Sequence, residues 1–255
     1  MTASTPRAHV PTASPQSASV ITVAGWLFRR NLNILAWFAG MAVVTVLLIA
    51  VPMMQRFQAE LGPSLWEAFS TSGAGWFVLA LGALAGQYLP VLVAQGVTRR
   101  RVVLGAGLAL TATSLIVGVL IVVGYLVEAE LFGRFGVVPR LSGEHLFAST
   151  SQYALVVLES AVRTLHFGLV GLLLSLAYYR YGGWLGTALL PLTAFLPISI
   201  GLALLSLDPA AVGTSWQNLN GASGVGPLLL AGFDLVLLAL CAWFGSTLAL
   251  RTKPT

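Results

Sequence analysis

Six long runs of apolar residues divide the chain, and short polar segments separate them. The runs cover residues 34–54, 73–95, 102–127, 153–177, 184–206 and 227–250. At a rise of about 1.5 Å per residue, a helix of roughly 20 residues crosses the ~30 Å hydrocarbon core of a bilayer. The pattern therefore predicts an all-α integral membrane protein with six transmembrane helices.

The segment before the first run differs in composition from everything that follows. Residues 1–18 are rich in Thr, Ala, Ser and Pro without apolar periodicity, so we expect a disordered cytoplasmic tail. A cleavable signal peptide is not expected, because the first apolar run begins more than thirty residues in. Residues 19–33 mix apolar side chains with Arg29 and Arg30. They fit either an interfacial helix or the start of the first span, and residues 19–255 are expected to form one transmembrane domain.

Basic residues between the runs are distributed unevenly across the two sides of this topology. Nine fall on one side: Arg7, Arg29, Arg30, Arg99, Arg100, Arg101, Arg180, Arg251 and Lys253. Three fall on the other: Arg56, Arg134 and Arg140. An excess of Lys and Arg in short loops marks the cytoplasmic face, so both termini are predicted inside a bacterial cytoplasmic membrane.

Composition agrees with a membrane protein. The chain is 57% hydrophobic and 8% charged, with a mean hydropathy of +0.89, whereas about a quarter of the residues in soluble domains are charged. The net charge of +5 does not indicate nucleic acid as a partner, because the charges lie beside the spans. Cys241, the single cysteine, excludes an intrachain disulfide.

The loop between the second and third runs, residues 95–101, is short and basic. It contains Gly96, Thr98, Arg99, Arg100 and Arg101. Three arginines in the first turn of a helix oppose its dipole, so local helix stability does not explain them. Membrane topology, anionic lipid headgroups and an acidic partner surface remain as explanations.

Motifs for nucleotide or metal chemistry are missing from the sequence. A P-loop requires a lysine directly after its glycines, and the only lysine is Lys253 near the C-terminus. The histidines His9, His145 and His166 fall in the tail, an outer loop and a span, so no metal site is predicted. We expect no catalytic residues and no cofactor.

Ionisable residues within the apolar runs are rare and concentrate in the fourth run. Glu159 and Arg163 lie four residues apart on one helical face, and His166 follows three residues later. A charge near the bilayer centre costs at least ~2.5 to 3.5 kcal/mol, so these groups should be paired. Asp234 and Gln87, in other runs, are candidate partners. The group fits a structural lock, a substrate gate or a proton relay.

Two further features concern helix shape and packing. Gly82 and Gly86 form a GxxxG motif that permits close contact between helices, although glycine is common in this chain. Pro191 and Pro197 remove two backbone donors, so the fifth run should be kinked.

The decapeptide at residues 96–105, GVTRRRVVLG, resembles the sequence that opens the third span in many ABC transporter permease subunits of the ABC-2 exporter type. The six-span plan with both termini inside is also similar to that family. The resemblance implies a half-transporter that pairs with a second, identical or different permease chain and with separate cytoplasmic ATP-binding subunits. Substrates of such exporters are drugs, antibiotics, peptides or lipidic molecules.

Two other functions remain open. Glu159, His166 and Asp234 within the membrane would suit a self-sufficient, proton-coupled secondary transporter. A non-transporting membrane subunit or immunity factor is the third possibility. We expect a transport subunit without an ATPase site of its own.

Overall fold

The computed structural model describes residues 19–45, 48, 64–134, 141, 145–147, 149–205 and 226–247. Every regular element in these ranges is a helix, which confirms the all-α fold class. The predicted tail, residues 1–18, lies outside the described residues.

Eight α-helices and two short π-helices form the described part of the chain. The α-helices are α1 (Val20–Thr45), α2 (Leu65–Ala68), α3 (Ala74–Gln87), α4 (Leu89–Ala94), α5 (Arg99–Arg134), α6 (Tyr153–Ala188), α7 (Leu196–Leu205) and α8 (Gly226–Thr247). The π-helices, Phe69–Gly73 and Pro191–Phe195, lead into α3 and α7.

Four helical segments are long and apolar enough to cross a membrane: Phe69–Ala94, Arg99–Arg134, Tyr153–Ala188 and Gly226–Gly245. They overlap the predicted second, third, fourth and sixth spans, and the third and fourth extend beyond the predicted ends at 127 and 177, so the chain has the character of a multi-pass membrane protein. Large apolar side chains on α6 and α1 also face outward, as a lipid-facing surface requires; Trp184 is 89% exposed and Trp37 78%.

The two remaining predicted spans are not shown as single long helices. The first, 34–54, is described only in part, but α1 continues without interruption through Ile34. Residues 20–33 are thus the beginning of that helix. The fifth is a series of shorter pieces that includes the apolar helix Pro191–Leu205.

Glycine and proline explain the interruptions around the fifth run. Gly182 has φ +77°, a left-handed conformation that favours glycine, and it breaks the path of α6 after Tyr181. A second irregularity follows at Pro191, where a π-helix begins. Pro197 comes two residues after the end of this π-helix, so its missing N–H lies where the helix passes from π to α geometry.

The helices α3 and α6 meet along a seam of small residues. A Cβ atom added to Gly82 would overlap the carbonyl of Gly168, and one added to Gly171 would overlap the carbonyl of Leu79. Gly86 likewise faces the side chain of Ser175. The close contact predicted from Gly82 and Gly86 is therefore present.

The long helices α5 and α6 occupy the centre of the bundle. The side chain of Val23 in α1 packs against Gly105 of α5, and that of Leu238 in α8 packs against Gly107. Some leucines on α5 and α6, such as Leu110 and Leu172, are almost fully buried. Side chains on α6 consequently sit among several helices, which is where the predicted polar residues lie.

Candidate functional site

The predicted site residues and their polar contacts lie in three separate places, and Gln87 lies apart from all three. The basic loop comprises residues 95–101 between α4 and α5. The outer cluster comprises Glu67, Glu128, His145, Glu159 and Arg163. The core pair comprises His166 and Asp234. The loop lies at the predicted inner ends of its helices and the outer cluster at the opposite ends.

The basic loop is closed by hydrogen bonds of its own backbone. The amide of Gly96 donates to the carbonyl of Val93 at 2.9 Å, and the amide of Val97 donates to that of Leu92 at 3.1 Å. Gly96 has φ +86°, so this helix ending depends on glycine. The buried side chain of Val97 anchors the loop, and α5 starts two residues later.

The three arginines of the loop have different environments. Arg100 is exposed, whereas Arg99 and Arg101 are half-buried. The Nη1 atom of Arg99 is buried and has no hydrogen-bond partner among the described residues. The loop thus has one exposed guanidinium group, Arg100, next to a second, Arg99, that has a buried donor without a hydrogen-bond partner among the described residues.

In the outer cluster, His145 bridges two helices. Its Nδ1 atom lies 2.8 Å from Oε1 of Glu159, and its Nε2 atom lies 3.1 Å from Oε1 of Glu67. Both ring nitrogens face carboxylate oxygens, so both can donate only when the imidazole is protonated. In that form, His145 ties its loop to α2 and α6.

Glu159 is the centre of this cluster. Its Oε1 atom accepts a hydrogen bond from Nη2 of Arg163 at 2.9 Å, so the predicted Glu159–Arg163 ion pair is formed. Its Oε2 atom accepts the backbone amide of Leu146 at 2.7 Å. With His145, three donors from two parts of the chain converge on one buried carboxylate.

The protonation of His145 reflects opposing effects. Burial lowers the pKa of His145, but the hydrogen bonds and charges of Glu159 and Glu67 outweigh it and raise the pKa above the ordinary value; the positive charge of Arg163 opposes this increase. The carboxylates therefore favour the imidazolium form that both hydrogen bonds require.

Glu128 fixes the entry to the second span. It accepts Oγ–H of Ser64 at 2.6 Å and the amide of Trp66 at 3.0 Å. The indole of Trp66 donates to the carbonyl of Ile121 at 2.9 Å. These contacts hold α2, and with it Glu67, against the outer end of α5.

The core pair lies deeper, near the middle of α6. Nδ1 of His166 is 2.8 Å from Oδ1 of Asp234 in α8, and Nε2 is 3.2 Å from the carbonyl of Pro197 in α7. The two ring nitrogens thus connect α6 to α8 and α7. Gly201 provides the space for the imidazole ring. The other carboxylate oxygen of Asp234 is buried and has no partner in the described helices.

The structure separates residues that the sequence grouped together. Asp234 does pair with His166, but Glu159 and Arg163 belong to the outer cluster. Gln87 is exposed and lines a surface groove of about 540 Å³ with Ser175. Ser175 follows His166 by roughly 14 Å along α6, so Gln87 is not brought to the core pair.

Sequence reasoning did not select Glu67, Glu128 or His145 as site residues. Each belongs to a polar segment at the predicted outer face, where solvated side chains are the norm. The position of Glu128 at the end of an apolar run was the available signal. No comparable signal marks the loop contact of His145, because its partners are distant in sequence.

Among the described residues, no group of three or more His, Cys, Asp or Glu side chains has an arrangement that could hold a metal ion. No protein-family model, curated protein or solved structure matches the chain. The site's own geometry is therefore the basis for the functional proposal.

Proposed function

We propose that this chain is the membrane-spanning permease subunit of an ABC-type exporter. It would move a drug, antibiotic, peptide or lipidic substrate out of the cell, powered by a separate cytoplasmic ATPase subunit and paired with a second permease chain. The basic loop carries this proposal. It is short and internally hydrogen-bonded, and it exposes a guanidinium group between two long apolar helices.

A displacement of this loop would be transmitted to the rest of the bundle through closely packed helices. The loop follows α4 directly, and the preceding α3 packs against α6 through Gly82 and Gly171. On the other side of the loop, α5 packs against α1 and α8. A displacement imposed by a nucleotide-driven partner would thus act on both central helices.

The composition of the chain supports a division of labour with an ATPase. With Lys253 as the only lysine, the chain has no P-loop lysine to contact nucleotide phosphates. Energy from ATP would have to enter through a partner, and the basic loop is a suitable docking point. Arginine offers a planar fork of donors for carboxylates or carbonyls on such a partner.

The first experiment replaces arginine by lysine at three positions. An ATPase reading frame beside the gene would be co-expressed with the wild-type chain or with R99K/R100K/R101K, and R180K would serve as a matched control elsewhere on the inner side. Docking requires the arginine fork, so the triple variant should reach the membrane at normal yield but lose at least half of the co-purified ATPase subunit. R180K should retain it.

Wild-type recovery of the ATPase subunit and unchanged ATP hydrolysis in the triple-lysine variant would contradict docking at the basic loop. That result would reduce the arginines to a topology determinant, since membrane topology depends mostly on charge.

The core pair favours a second candidate, a proton-coupled secondary transporter. His166 and Asp234 form a buried hydrogen-bonded pair near the middle of the span, and their contacts join three helices, an arrangement suited to proton-dependent movement. Growth of expressing cells on a panel of antibiotics separates the candidates. Resistance that requires a functional ATPase subunit supports the exporter. ATPase-independent resistance that a protonophore or H166Q abolishes supports the secondary transporter.

A further inference from the structure

A groove of about 480 Å³ opens between α1 and the junction of α3 with α4. Its lining residues are Trp26, Arg29, Arg30, Asn33, Ile34, Leu84 and Tyr88. We infer that this groove binds the phosphate headgroup of an anionic phospholipid from the inner leaflet. The site is independent of any coupling to an ATPase.

Aromatic side chains hold one of the two arginines in place. Nε of Arg30 donates to the hydroxyl of Tyr88 at 3.2 Å, and its guanidinium carbon lies 5.9 Å from the centre of the Tyr88 ring. Trp26 packs edge-to-face on the same ring at 5.3 Å. This arrangement fixes Arg30 through Nε and leaves its Nη donors for another acceptor.

The groove is positively charged, and none of the described residues that line it is acidic. Neither Arg29 nor Arg30 forms an ion pair with a carboxylate of the described residues. The amide of Asn33 adds further hydrogen-bonding capacity. Two cations with polar neighbours and no internal counterion form a site for a phosphodiester.

The depth of the groove favours a lipid over a soluble partner. Tyr88 precedes the inner end of the Phe69–Ala94 span by roughly 9 Å along the helix. At this boundary of the hydrocarbon, unpaired charges are costly and lipid phosphates are abundant. An acidic protein loop would have to enter the membrane to reach the same place.

The apolar part of the groove suits the remainder of a lipid. Ile34 and Leu84 line it next to the cations. Further along α1, the exposed side chains of Trp37 and Met41 continue the face of Arg30 toward the outer leaflet. An acyl chain can lie along this face while its phosphate contacts the guanidinium groups.

Thermal unfolding of the purified full-length chain in neutral detergent provides the test. Dioleoyl phosphatidylglycerol should raise the wild-type Tm by several degrees more than dioleoyl phosphatidylcholine. The variant R29Q/R30Q should lose most of this difference. The control R134Q/R180Q removes the same charge at two described positions that do not line the groove and should keep it. L84W, which fills the groove while retaining both arginines, should also lose it.

Several outcomes would overturn the site. Equal losses in R29Q/R30Q and R134Q/R180Q would indicate unspecific attraction of charge. An equal shift with phosphatidylcholine would exclude selectivity for anionic lipid. Glycerol 3-phosphate reproducing the full shift would identify a soluble phosphate as the ligand. An undiminished shift in a folded L84W variant would place the lipid elsewhere, for example on the basic loop.

Discussion

The carboxylate of Glu159 accepts more hydrogen bonds than its helical spacing from Arg163 predicts. The i,i+4 pattern predicts its contact with Arg163, but the same carboxylate also accepts hydrogen bonds from His145 and from the amide of Leu146. Loss of Arg163 leaves two of these donors in place. Loss of Glu159 leaves all three without their acceptor, which is the more costly change inside a protein.

We therefore expect E159L to lower the free energy of unfolding by close to the ~3–5 kcal/mol typical of a broken buried charge pair. R163L should lower it by less. The double variant E159L/R163L should not recover, because His145 and Leu146 remain unsatisfied. Thermal unfolding of the purified variants measures this order, with L158A, at an exposed neighbouring position, as the control. A double variant as stable as the wild type would contradict the central role of Glu159.

The raised pKa of His145 gives the outer cluster a dependence on pH. A group whose pKa is higher in the folded protein contributes stability below its unfolded pKa, about 6.5 for histidine. That contribution is lost as the pH rises through the folded value. The partners facing it are Glu67 and Glu159, with Arg163 opposing.

Accordingly, the Tm of the wild-type chain should fall as the pH rises from about 6 through the raised pKa of His145. H145Q keeps a polar side chain of similar reach without the titration, and its profile should be flatter in this window. A comparison of the two Tm profiles against pH provides the measurement. Identical slopes would mean that the imidazolium does not hold this loop.

The sequence could predict one half of this cluster but not the other. Neighbours on a single helix face follow from the 3.6-residue period, so Glu159 and Arg163 were predictable. His145 reaches Glu67 across 78 residues of chain. Such a contact depends on how loops close over the bundle, and no periodic pattern encodes it.

At the level of helices, the seam between α3 and α6 is the most demanding contact. Gly82 and Gly171 each face a backbone carbonyl of the opposite helix. A backbone cannot rotate away as a flexible side chain can. The helices must therefore separate to admit even one additional methyl group.

The substitution G82A should destabilise the chain by about 1–3 kcal/mol, the usual range for overpacking. Gly25 in α1 is the matched control, because a Cβ there would meet no atom within 4 Å. G25A should be neutral or gain up to about 1 kcal/mol, since alanine favours helices. Equal Tm values for G82A and G25A would show that the seam can relax.

The presence of a long helix was predictable where apolar runs are uninterrupted, but its end was not, since α5 and α6 extend to Arg134 and Ala188. The second, third, fourth and sixth runs all contain a long apolar helix in the structure. The fifth run divides because Gly182 adopts a left-handed conformation and Pro191 starts a π-helix. Hydropathy counts apolar residues and is insensitive to both effects, so it predicts one continuous span.

For the whole molecule, the positive-inside pattern predicts which side each loop faces. A cysteine-free background, C241S, allows single cysteines to be introduced and labelled from outside intact cells. Cysteines at Ser142 and Gln217 should react, and those at Thr98 and Thr252 should react only after permeabilisation. External labelling at Thr98 would mean that the basic loop faces the outside of the cell, which would contradict both the predicted topology and the proposed docking of this loop.

The glycine seam also limits which parts of the bundle can move relative to each other. Because α3 and α6 touch backbone to backbone, there is no layer of side chains between them to repack, and the two helices should travel as one body. In the proposed exporter, α6 would then have to slide at its boundary with α5 or with α8. Sliding at the α8 boundary would require the 2.8 Å hydrogen bond between His166 and Asp234 to open.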